Sequence, residues 1–166
     1  NDVPFEYRTL EDPSAMAALK ARWPFARFPV LVDDGNTIAE STIIIEHLML
    51  KHGGRVRWLP DDPLEALEVR FLDRFFDNDV MTAMQKPVFE AIRKDNARRD
   101  EAMAEASRAL DLAYGWLEQR LAGRTWAAGE TLSLADCAAA PSLFYADWVH
   151  PIAPSYPQLR AYRSRL

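Results

Sequence analysis

The chain has 166 residues, of which 49% are apolar and 27% charged, with a net charge of −5. That is enough chain and apolar content for one large domain or two small ones, and the acidic balance gives no electrostatic case for binding nucleic acid or an anionic membrane. The single cysteine, Cys137, excludes an internal disulfide framework and fits a reducing, cytoplasmic compartment; no apolar run approaches membrane-spanning length, and no signal peptide is visible.

Taken in order, the alternating run Phe5-Glu6-Tyr7-Arg8-Thr9-Leu10 reads as a strand. Asp12-Pro13-Ser14 opens a short helix over 15–21, with Pro13 near its first turn, and Trp23-Pro24-Phe25 breaks it. Phe28-Pro29-Val30-Leu31-Val32 is an apolar, β-branched run of strand length. Asp33-Asp34-Gly35-Asn36 is a hairpin turn in which Gly and Asn supply positive φ. Thr37-Ile38-Ala39 is the return strand. Glu40-Ser41 then ends the sheet, with Ser41 as N-cap of a helix over 42–52 and Gly53-Gly54 as its stop.

Two details exceed an ordinary hairpin. Pro29 heads a strand, where its missing N–H is tolerated. A cis Phe28-Pro29 bond would turn the Phe28 backbone outward, its N–H and C=O free for a ligand. Glu40-Ser41 places an acid–hydroxyl pair at a helix N-terminus, where orphan N–H groups and the dipole favour a carboxylate ligand.

Residues 55–63 hold two prolines and turn acids and read as a linker at a domain boundary. Everything after it reads helical. A long helix over 64–92 carries Leu64, Leu67, Phe71, Leu72, Phe75 and Phe76 at helical spacing, and Pro87 predicts a kink near 84–86. A second helix over 98–121 carries Ala106, Leu110, Ala113, Tyr114, Leu117 and Leu121 on one stripe and stops at Gly123. Ser133 and Asp136 form a capping box, followed by the small-residue run Cys137-Ala138-Ala139-Ala140 of a buried central helix. Tyr156-Pro157-Gln158-Leu159 opens a last helix.

The stretch Phe28-Pro29-Val30-Leu31-Val32-Asp33-Asp34-Gly35, followed by Ile38 and Glu40-Ser41, resembles the second half of the thioredoxin-like domain of bacterial-type cytosolic glutathione transferases. Pro29 matches the family's cis-proline and Glu40-Ser41 its Glu/Asp-Ser pair; Phe28 stands where Val is usual. Ser133 to Asp136 resembles the capping motif of the buried sixth helix of that family. The resemblance implies an incomplete α+β thioredoxin-like domain over 1–54, a linker over 55–63 and an all-α helical bundle over 64–166. It aligns residues 3–6 with the family's second strand. An N-terminal strand–helix unit, roughly 20–30 residues, and a C-terminal tail are therefore expected beyond this chain. The family's catalytic Tyr, Ser or Cys belongs to that first unit, so no residue of this chain is assigned the catalytic role.

By the same resemblance, Ser41 would hold the γ-glutamyl carboxylate of glutathione, Glu40 would fix the turn near the ligand's amino end, and the Phe28 backbone beside Pro29 would pair with the cysteinyl part. Arg27 would reach the glycine carboxylate or serve as an exposed salt-bridge partner. The implied function is a glutathione transferase that promotes thiolate attack on a small electrophile. The alternatives are a non-catalytic interaction module and a glutathione-dependent thiol–disulfide reductase. A homodimer is implied, with Asp77 near the partner subunit's glutathione. At the remaining polar and aromatic positions the residues themselves favour structural roles. Cys137 reads as a packed thiol, Asp73 and Asp77 as a salt-linked face with Arg70 and Arg74, and Met81, Met84 and Trp148 as core. His47, His52 and His150 show no metal-ligand spacing and no nearby acid–cysteine company, so no metal is expected.

Overall fold

The computed structural model describes residues 3–54, 56–93 and 97–166. Backbone contacts divide the chain into two compact units, Asn1–Trp58 and Leu59–Leu166. The division falls within the expected linker, of which Arg55 lies outside the described residues.

The first unit holds α1 (Pro13–Arg22), β1 (Val30–Asp33), β2 (Asn36–Ala39) and α2 (Ser41–His52). Asp12 caps α1, accepting from the Ser14 N–H at 2.8 Å, and Pro13 takes the first helical position. The strands pair antiparallel, Val30 with Ala39 through Asp33 with Asn36. The turn has only two residues, Asp34 (φ 48°) and Gly35 (φ 80°). Both take positive φ, as the tight hairpin twist requires, so Asn36 is freed from the turn and begins β2. The run from Phe5 to Leu10 is not a strand: both aromatics in it are exposed. Alternation makes a strand only where a neighbouring ladder accepts its backbone groups, and the one sheet among the described residues has two strands. These elements are part of a thioredoxin-like domain and bury little, Ala15 being the buried apolar residue among the described residues of the unit.

The second unit holds α3 (Pro63–Phe75), a π-helical stretch (Phe76–Met81), α4 (Thr82–Ile92), α5 (Arg99–Arg120), α6 (Leu134–Val149) and α7 (Pro157–Arg165). The helix expected over 64–92 thus departs from α geometry at 76–81, not beside Pro87, which is buried inside α4. The Thr82 N–H and hydroxyl both reach the Asp77 carbonyl, five residues back, and hold the wide turn. The buried face of α3 also differs from the expected stripe. Ala66, Val69 and Leu72 face the core, while Leu64, Leu67 and Phe71 are exposed. α3 packs on α6, whose buried face includes the small residues Ala135, Ala139, Ser142 and Ala146. Such close approach selects the smaller of the two apolar stripes on α3. The α5 stripe is buried throughout, from Ala106 to Leu121.

Asp136, 1% exposed, anchors this unit. Its Oδ2 accepts from the Ser133 N–H at 2.8 Å and the Ser133 hydroxyl at 3.1 Å. Its Oδ1 accepts from the Ala127 N–H at 2.9 Å and the Tyr162 hydroxyl at 2.6 Å. The capping box is therefore one part of a wider junction joining α6, the loop before it and α7. Glu118 of α5 caps α7 from a distance, accepting from the Gln158 and Leu159 N–H groups at 3.0 and 2.9 Å.

Candidate glutathione-binding site

The hairpin register sets the geometry. Val30 pairs with Ala39 as the last pair of the ladder; just beyond it, Phe28 and Pro29 lead into β1 and Glu40 and Ser41 lead out of β2 into α2. All four are exposed, at the hairpin end away from the turn. The Phe28-Pro29 peptide is cis, and Phe28 lies just outside the ladder.

Glu40, not Ser41, is the N-cap of α2, which corrects the expected cap. Its C=O accepts the first intrahelical bond from the Ile44 N–H at 2.9 Å, but its side chain caps nothing. The Glu40 backbone sits at φ 70° and ψ 124°, a conformation costly for a residue with a Cβ. Ser41 is the first helical residue, so its hydroxyl is not used as a cap. The carboxylate of Glu40 instead meets the Arg27 guanidinium at 3.4 Å, both side chains more than half exposed. The Arg27 guanidinium also stands 5.6 Å from the Phe25 ring centre. The hairpin end thus gathers a helix N-terminus, a hydroxyl, a carboxylate–guanidinium pair and an exposed backbone edge. That set can receive a small zwitterion: carboxylates at the helix end and the guanidinium, an amine at Glu40.

The remaining candidate residues do not gather into one site. Cys137 is half-buried, and burial followed by the charges of Asp136 and Asp73 pushes its thiol pKa up, the wrong direction for a nucleophile. Arg74 links Asp73 at 2.7 Å and Asp77 at 3.6 Å, a salt-linked face. Met84 is buried in the core, whereas Trp148 is exposed against Phe144 and Tyr145. His150 bonds Asp111 at 2.8 Å. A cleft of about 480 Å³ lies in the second unit beside Asp147, Ile152, Arg160 and Arg163 and includes none of the expected site residues.

Sequence reasoning missed one cluster. It gave His47 and His52 no metal-ligand spacing and no acid–cysteine company, yet Asp33 Oδ2 lies 2.6 Å from His47 Nε2 and 2.9 Å from His52 Nε2. Lys51 Nζ joins at 2.9 Å and also binds Asp34 at 2.7 Å. Separations of 14 and 19 residues hide this grouping. The signal available was topological: β2 leads away from the turn and α2 leads back, its 12 residues covering about 18 Å, so its last turn returns beside Asp33. Hydrogen bonding to His47 first, then to Lys51 and His52, holds the Asp33 carboxyl well below the usual carboxylate range.

A partial thioredoxin-like unit followed in the chain by an all-helical unit is a two-part architecture of the glutathione transferase-like class that the sequence resemblance implies. The description "Glutathione S-transferase, N-terminal domain" matches residues 1–56, and "Glutathione S-transferase, C-terminal domain" matches residues 80–166. The chain belongs to the glutathione S-transferase family. It is 33% identical over 135 residues to glutathione transferase GST 23 of Zea mays, covering 81% of this chain and 57% of that relative. Among solved structures, glutathione S-transferase 1-6 from Anopheles dirus species B superposes with a TM-score of 0.75 at 27% identity, over 96% of this chain and 74% of that one. A glutathione S-transferase from Methylobacillus flagellatus, solved with glutathione bound, shares the fold at TM-score 0.79 and 24% identity, over 99% of this chain and 81% of that one. The chain spans 57–60% of the length of the first curated relatives it matches.

Proposed function

We propose that the protein binds glutathione at the Phe28–Ser41 end of the hairpin and promotes attack of its thiolate on a small electrophile. The observation that carries this is Ser41 at the first position of α2, its hydroxyl unused by the cap, at the same end of the hairpin as the exposed Phe28. Ser41 would donate its hydroxyl and N–H to the γ-glutamyl carboxylate, at the positive end of α2. Glu40 would receive the amino group. The Phe28 N–H and C=O would pair antiparallel with the cysteinyl segment. Arg27, already beside Glu40, would turn to the glycine carboxylate.

Bound this way, glutathione is held at its backbone and both ends, which fixes where its sulfur lies. These residues bind and orient; the group that lowers the thiol pKa is a separate one. Family membership supports the reading, as does the glutathione found in the Methylobacillus flagellatus relative.

Titration calorimetry of glutathione against the full-length protein tests it. A hydrogen bond to a charged group contributes about 1.5–3 kcal/mol, so Ser41→Ala should weaken binding about ten- to a hundredfold. Ser41→Thr keeps the hydroxyl and should retain most of the affinity. Equal affinities for all three proteins would remove Ser41 from the site. Undetectable binding to the wild type would favour a non-catalytic interaction module.

A further inference from the structure

We propose that Asp33, His47 and His52 form a binding site for a divalent first-row transition ion of the zinc type. One ligand atom from each lies within 4.8 Å of the others. Two imidazoles and one carboxylate are a donor set suited to such an ion. Both histidines aim Nε2 at the same carboxylate oxygen, at 2.6 and 2.9 Å. Around a tetrahedral ion with bonds of about 2.0–2.1 Å, ligand atoms stand about 3.3 Å apart. On binding, the 2.6 and 2.9 Å histidine–carboxylate distances would open toward that spacing.

The site is built from two elements, not from one flexible loop. Asp33 ends β1, and His47 and His52 lie on the last turns of α2. The three side chains are 16%, 25% and 24% exposed. They are covered enough to be positioned and open enough to leave a fourth coordination position to water. Lys51 already places a cation against the same oxygen, at 2.9 Å. Its second partner, Asp34 at 2.7 Å, lets the ammonium withdraw without losing its ion pair. The ion would replace one Lys51 contact and fasten the end of the hairpin to the end of α2. The hairpin's opposite end carries the proposed glutathione site, so the two proposals stand on separate residues and are tested separately.

The test uses untagged full-length protein, stripped with chelator and free of glutathione. Co2+ is titrated while its visible ligand-field bands are followed, and Zn2+ is then added in competition. One ion per chain is expected, with bands of low-coordinate Co2+ that Zn2+ abolishes. His47→Gln and His52→Gln should each weaken binding more than about a hundredfold, beyond the loss typical of outer-shell partners. Lys51→Met removes the competing ammonium and should tighten binding, while His150→Gln should leave it unchanged. Far-UV circular dichroism and thermal melts without metal show which variants are folded. Because Lys51→Met removes no proposed ligand, its effect decides the matter even if a histidine variant unfolds. No saturable Co2+ binding, or binding indifferent to His47, His52 and Lys51, would overturn the site and leave a hydrogen-bonded clasp only.

Discussion

Tyr162 in α7 donates its hydroxyl to Asp136 in α6 at 2.6 Å, across 26 residues of chain. That bond extends a local helix cap into a tertiary lock. A cap alone is worth about 1 kcal/mol. Asp136→Ala would leave the Ser133 N–H, the Ala127 N–H and the Tyr162 hydroxyl without their acceptor in a buried place. The expected loss is about 3–5 kcal/mol in chemical denaturation, against about 1–2 kcal/mol for Tyr162→Phe. Glutathione affinity of the folded fraction should not change. Equal small losses for both substitutions would reduce Asp136 to a simple cap.

The same tyrosine makes an alkaline prediction. Burial, then the charge of Asp136, pushes the Tyr162 phenol well above its ordinary value, and burial does the same to Tyr114. In the unfolded chain both lose their protons near pH 10; in the folded protein they keep them. The folded state then binds more protons than the unfolded state, so stability is full below about pH 10 and falls as pH rises above it. Denaturation midpoints between pH 8 and 11 should show this fall, with a shallower slope in Tyr162→Phe. An unchanged slope would count against a retained Tyr162 proton.

At the start of α2, binding and stability should separate. Ser41 is not the cap, so Ser41→Ala should cost less than about 0.5 kcal/mol while weakening glutathione. Glu40→Gly should relieve the positive φ of 70° and raise stability by up to about 1 kcal/mol, again at the expense of binding. Thermal melts beside calorimetry check both. A large melting loss in Ser41→Ala would return the cap role to that residue.

Acid should act on the hairpin. The Asp33 carboxyl, held low by His47, Lys51 and His52, contributes stability that is present above about pH 4 and is lost as pH falls further toward its folded pKa. Asp33→Asn should flatten the acid limb of the unfolding profile below about pH 4. The clasp would be discounted if wild type and Asp33→Asn lost stability in parallel there.

Leu64, Leu67 and Phe71 leave an exposed apolar stripe on α3. A two-fold homodimer that covers this stripe is the assembly expected, with Asp77, exposed on the adjoining turn, proposed to face the partner subunit's glutathione. Sedimentation at micromolar concentration should give a dimer, and Leu67→Glu with Phe71→Glu a folded monomer. A wild-type monomer would sink both the interface and the Asp77 role.

The sequence by itself determined the elements whose signals are local. Asp34-Gly35 requires a tight hairpin, Asp12 and Pro13 start α1, and one apolar stripe from Ala106 to Leu121 gives a helix with a single possible inner face. Ser133 and Asp136, three residues apart, form a cap because their backbone places them together. Tertiary structure decided wherever the local signal had two outcomes or none. α3 carries two apolar stripes, and the small residues of α6 chose Ala66 and Val69 over Leu64 and Leu67. Phe5 and Tyr7 alternate like a strand, but among the described residues no neighbouring ladder pairs them. Asp136 meets Tyr162, and Glu118 caps α7, only because helices distant in sequence pack side by side. Asp33 meets His47 and His52 because α2 folds back along the hairpin. Hydrogen bonds and short-range sterics act over a few residues and can be read from the chain; the choice of partner across 14 to 41 residues is made by burial and packing.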